Sequence, residues 1–119
     1  MSNDNPPLDA DVLTMLRRLS PPGGPDVLAD VLRLFQEDMP VRLAALEAAV
    51  GGGDLRLVQR TAHAIKGGAG NIGARRLFTA CGRLEQSARS GQLEELHAAM
   101  MHVTHESTRV LDAIRVLLT

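Results

Sequence analysis

Apolar positions fall on helical spacing almost from end to end, and prolines and glycines cut the pattern into segments. After Pro6 and Pro7, a short amphipathic stretch runs from Leu8 to Leu19 and stops at "SPPGGP", Ser20 to Pro25. From Asp26, the positions Leu28, Val31, Leu32, Phe35, Met39, Leu43, Leu46, Ala49 and Val50 keep one register across Pro40. This predicts one long helix with a kink, or two nearly collinear ones. Three glycines at 51–53 end it, and Asp54 is the expected N-cap of the next helix. That helix runs from about Leu55 to Gly68 or Gly70 and leads into a tight connection around Asn71 to Gly73. A further helix begins near Ala74, with Leu77, Ala80, Cys81, Leu84 and Ala88 on one face, and ends at Ser90 and Gly91. The last starts near Gln92, with Leu93, Leu96, Met100, Val103, Ser107, Val110, Leu111, Ile114 and Leu118 on its stripe.

No run alternates with the period of a strand. Four long amphipathic helices on short loops predict an all-α protein, an antiparallel four-helix bundle with the short first helix across one end. Residues 8–119 are expected to form a single domain behind a flexible N-terminus at residues 1–7.

Composition sharpens this picture. Only two aromatics occur among 119 residues, so the core must be built from Leu, Val, Ile, Met and Ala, which suits helices. A formal net charge of -1 gives no electrostatic reason to expect nucleic acid as a partner. One cysteine excludes an internal disulfide and a Cys-rich zinc site. The start "MSNDNPPL" is unlike a secretory signal and no apolar run is long enough to span a membrane, so a cytoplasmic protein is expected.

The chemistry concentrates in "TAHAIKGGAGNIG", Thr61 to Gly73. At about 100° per residue, the apolar arc Leu55, Val58, Ala62, Ile65 and Ala69 is centred roughly 120–140° from His63. His63 therefore points outward, among Arg56, Gln59, Arg60, Lys66, Gly67 and Gly70. Glycine weakens a helix interior by up to about 1 kcal/mol relative to alanine, and an exposed face has no reason of its own to accept it. Gly67, one turn beyond His63, sits where a side chain would stand over the ring, so its absence lets another molecule approach. The competing reading is that Gly67, Gly68 and Gly70 fray the helix end or permit close helix packing. An outward imidazole is a good nitrogen nucleophile, and Lys66 at i+3 could neutralise charge on a transferred phosphoryl group.

Other features offer less. His102 and His105 share a solvent-facing side of the last helix without the carboxylates of a di-metal bundle, and no metal site is expected. Asp and Glu residues are scattered, with no marked acid/base pair. "GGAG" lacks the P-loop Lys-Ser/Thr and a preceding strand, so nothing points to ATP.

"AHAIKGGAGNIG" resembles the signature of histidine-containing phosphotransfer (HPt) domains of two-component phosphorelays. The resemblance extends through "LFQEDMPVRLAALEAAV", "GDLRLVQRTAHAIKG" and "GARRLFTACGRLEQSARSG". It implies a four-helix bundle whose exposed histidine relays a phosphoryl group between receiver-domain aspartates. His63 would be the phosphoacceptor, Lys66 the charge-stabilising neighbour, Gly67 the clearance residue and Gly73 part of the turn into the next helix. Arg56, Gln59, Arg60 and Gly70, which share the outward face with His63 on the helical wheel, are expected to border the partner. The family's imidazole-orienting polar residue falls at Glu85, with Gln86 adjacent. Mirroring about the turn near Asn71 puts Glu85 roughly a turn beyond His63, so a solvated boundary glutamate is an equal reading. The resemblance further implies a monomer that works with a receiver domain and a hybrid or sensor histidine kinase, has no cofactor of its own, and is not an enzyme. The partner would hold the magnesium. A non-phosphorylated adaptor that docks receiver-like partners is the alternative.

Overall fold

A computed structural model describes residues 6–119, so residues 1–5 of the expected flexible terminus lie outside the described residues. Five helices and no strand are present among the described residues: α1 (Ala10–Arg18), α2 (Val27–Gly51), α3 (Leu55–Asn71), α4 (Arg75–Ser90) and α5 (Leu93–Leu117). Three begin on an aspartate whose carboxylate accepts an otherwise unpaired backbone N–H. Asp9 accepts from Asp11, Asp26 from Ala29 and Asp54 from Leu57, at 2.8, 3.1 and 3.2 Å, each cap contributing about 1 kcal/mol. Pro40 lies inside α2, which stays one helix on both sides of it.

The helices α2 to α5 form a closed ring in which α2 packs on α3, α3 on α4, α4 on α5 and α5 back on α2. Short loops make neighbours antiparallel. Their stripes meet in a core that includes Leu32, Met39, Leu46, Val58, Ile65, Leu77, Leu84, Val103 and Ile114. Burial of each such aliphatic side chain stabilises the fold by about 1.5–3 kcal/mol. Leu93 departs from its expected place on the α5 stripe, with 59% of its surface exposed. It is the first residue of α5, next to the α4–α5 turn.

α1 packs on α2 and reaches the α3–α4 turn. There Asp9 N–H donates to the carbonyl of Gly73 at 2.9 Å, and Arg75 pairs with the Asp9 carboxylate at 2.7 Å. Gly73 has φ +73°, and a Cβ on it would lie 2.8 Å from Val12 and 2.9 Å from Asp9. Conformation and close approach both require glycine here. Among the described residues no helix is long and apolar enough to cross a membrane.

Candidate functional site

α3 buries Val58, Ala62, Ile65 and Ala69 and turns the opposite face to solvent. On that face His63 is 72% exposed at its side chain. Arg56, Arg60, Gly67 and Gly70 are exposed with it, and Gln59 and Lys66 are half-buried. Among the described residues, no hydrogen bond or ion pair ties Arg56, Gln59 or Arg60 to the ring.

Glu85 of α4 joins the histidine to the lysine. Its Oε2 lies 3.2 Å from His63 Nδ1. Its Oε1, otherwise without a hydrogen-bond partner, takes the Lys66 ammonium as an ion pair at 2.6 Å. The glutamate is not the solvated boundary residue that the mirror argument allowed: only 10% of its side chain is exposed. Helical side chains lean toward their own N-terminus. On antiparallel helices, His63 therefore leans away from the α3–α4 turn and Glu85 leans toward it, closing the one-turn offset between their backbones. Gln86 turns elsewhere and accepts from Arg89 at 3.0 Å.

Burial pushes the Glu85 carboxyl up, but hydrogen bonds from Lys66 and His63, with their charges, outweigh it and hold the group below the ordinary glutamate value. The carboxylate is thus a fixed anion at neutral pH. Because Nδ1 faces Glu85, Nε2 is the ring nitrogen left for chemistry. Lys66 Nζ also lies 5.6 Å from the centre of the Phe78 ring, within range of a cation–π attraction.

The three glycines have different surroundings. A Cβ on Gly67 would meet nothing within 4 Å, so the space beside the ring is open. A Cβ on Gly68 would touch Phe35, and one on Gly70 would touch Phe78, each at 3.5 Å. The packing reading therefore holds at Gly68 and Gly70, while Gly67 faces open space. Phe78, which the sequence pattern did not single out, is 44% exposed beside Gly70. On the other flank, Leu34, Phe35, Ala64 and Gly68 line a groove of about 320 Å³ between α2 and α3.

A second cluster escaped the sequence analysis. Glu106 of α5 is fully buried, with Arg76 Nε at 3.2 Å, Arg109 Nη1 at 3.1 Å and His102 Nε2 at 3.6 Å. His102 is accordingly half-buried, not on an open solvent face. The signal available was Arg109 at i+3 from a glutamate bordering the apolar arc; Arg76, 30 residues away, is brought by the fold. Cys81 lies in the core, where burial and then the Glu85 charge push its thiol up to about 12, leaving it protonated and unreactive at neutral pH.

With an open imidazole, a buried carboxylate at Nδ1 and a lysine on that carboxylate, the comparison with known proteins is decisive. Residues 30–115 match the Hpt domain. The chain belongs to the Hpt domain family. Histidine-containing phosphotransfer protein 2 of Arabidopsis thaliana is 34% identical over 74 residues, 60% of this chain and 47% of that protein. The chain thus spans about half the length of that curated relative. The crystal structure of histidine-containing phosphotransfer protein B from Pseudomonas aeruginosa has 34% identity and a TM-score of 0.80, over 97% of this chain and 93% of that one. The phosphotransfer protein ZmHP2 from maize, 23% identical, shares the fold with a TM-score of 0.84 over 94% and 83% of the two chains. As an Hpt domain, the bundle has a phosphorelay function.

Proposed function

We propose that His63 Nε2 takes a phosphoryl group from the phosphorylated aspartate of one receiver domain and yields it to that of another. In the forward step the Nε2 lone pair forms the N–P bond while the P–O bond to the aspartyl oxygen breaks, and the aspartate leaves as a carboxylate. Glu85 accepts the Nδ1 proton in a hydrogen bond, so the ring presents its lone pair at Nε2 and the imidazolium charge of the phosphorylated ring has a counter-charge. Lys66, with three donors, can keep Glu85 and still turn toward the phosphoryl oxygens, where positive charge stabilises a loose transition state. Gly67 leaves room for the incoming partner, and Arg56, Gln59, Arg60 and Gly70 border its footprint.

The domain, residues 8–119, works as a monomeric carrier in the cytoplasm, not as an enzyme acting on ATP. A hybrid or sensor histidine kinase starts the chain of transfers. The domain needs no cofactor of its own, and the magnesium belongs to the receiver. The observation that carries this reading is the exposed His63 ring held at Nδ1 by a buried carboxylate.

The test is incubation with a phosphorylated receiver, followed by a search for acid-labile, alkali-stable phosphate. Label on His63 that disappears in His63→Gln is expected. Persistent labelling of His63→Gln would refute the assignment to His63, and equal receiver binding with equal biological output from His63→Ala would overturn the relay and favour an unphosphorylated docking adaptor.

A further inference from the structure

α4 carries a glycine for which its own packing gives no reason. Gly82 lies mid-helix, where glycine is the poorest former apart from proline. A Cβ built on it meets nothing within 4 Å. Among glycines inside helices and away from their ends, only Gly67 and Gly82 are so open, since Gly68 and Gly70 face the two phenylalanine rings.

Gly82 also lies beside the same site. It stands about as many residues beyond the α3–α4 turn as His63 stands before it, so the two are nearly level on antiparallel helices. At about 100° per residue, Gly82 falls roughly 60° from Glu85, on the side away from the buried face of Cys81, Leu84 and Ala88. Phe78, one turn earlier and half-exposed, falls between them in angle. By this placement Gly67 on α3 and Gly82 on α4 flank His63 and Glu85, with Phe78 seated against Gly70.

Transfer requires the aspartyl carboxylate to reach bonding distance of Nε2, so the loops that border it must descend on both flanks of the ring. Gly67 clears the α3 flank. Resting on the relay reading above, we propose that Gly82 is a second clearance position. It opens the α4 flank so that the receiver docks across both helices, against Phe78 and the bare backbone, and its lack of a side chain sets which receivers fit.

Gly82→Ala and Gly82→Gln test this, with Ala98→Gln on the exposed side of α5 as control. Two rates are measured for each: phosphorylation of His63 by a phosphorylated receiver, and by phosphoramidate, a donor too small to need docking. Gly82→Ala should raise the thermal midpoint by about 4 °C. Gly82→Gln should slow transfer from the receiver by about tenfold or more while the phosphoramidate rate and the control stay at wild-type values. Transfer from the receiver at wild-type rate in Gly82→Gln overturns the proposal, as does an equal fall in both rates, which would place the effect on the ring itself. A wild-type chain phosphorylated by phosphoramidate but by no receiver instead overturns the relay reading, and the second clearance with it.

Discussion

The bundle holds two nearly buried glutamates, each flanked by a histidine and by positive charge, and they do opposite things. Glu106 is sealed: its side chain is 1% exposed, two arginines take its oxygens, and its histidine is half-covered. Glu85 is 10% exposed, shares itself between one lysine and one imidazole, and leaves that imidazole in solvent. The same kinds of side chain make a fastening between α4 and α5 in one place and a reactive surface on α3 in the other. What separates them is clearance. Beside Glu106 the charges close on one another, whereas beside Glu85 the open space at Gly67 leaves the ring accessible.

Four substitutions would break or sharpen this contrast. His63→Gln should abolish receiver-dependent labelling while leaving thermal unfolding essentially unchanged, because the ring supplies chemistry and little packing. Glu106→Ala should do the reverse. Removing one member of a buried charge cluster costs about 3–5 kcal/mol, which urea unfolding would register, with the folded fraction still transferring phosphate at near the wild-type rate. Transfer that collapsed with Glu106 at constant stability would show that the two clusters are coupled.

Lys66→Ala should slow transfer by roughly tenfold to a hundredfold, read in single-turnover kinetics with saturating receiver, since one charge-stabilising donor is lost. Glu85→Gln gives the smallest effect, in the pH profile of stability. Lys66 and His63 hold the Glu85 carboxyl below its ordinary value of 4.5 despite burial. A carboxyl lowered in the folded state contributes stability above the unfolded value and loses it as pH falls through the folded one. The stability gap between wild type and Glu85→Gln should therefore be full at neutral pH and shrink only below about 4.5. A gap that persisted unchanged at lower pH would mean that the carboxylate charge contributes nothing.

Much of this was readable from the chain because it is local. The apolar period sets the core faces, Asp54 caps its helix, and the angle between His63 and the stripe through Ile65 sends the imidazole outward. What the pattern could not supply depends on where one helix meets another. Glu85 falls a turn out of level by backbone counting and is brought into contact by opposed side-chain lean. Glu106 borders its helix's apolar arc, and nothing within α5 alone provides the Arg76 guanidinium that lets it be buried. The run "GGAG" could not be resolved either, because the rings against Gly68 and Gly70 come from α2 and α4.

The link between Asp9 and the turn glycine at position 73 has a practical bearing for anyone who trims or fuses this domain. The hairpin that sets His63 opposite Glu85 is clipped at its bend by a segment near the start of the chain, so a reporter joined close to Asp9 would pry at the bend from more than fifty residues away along the sequence. A fusion at that end should be separated from Asp9 by a generous spacer, or relay measurements on it will register a loosened hinge instead of the native one.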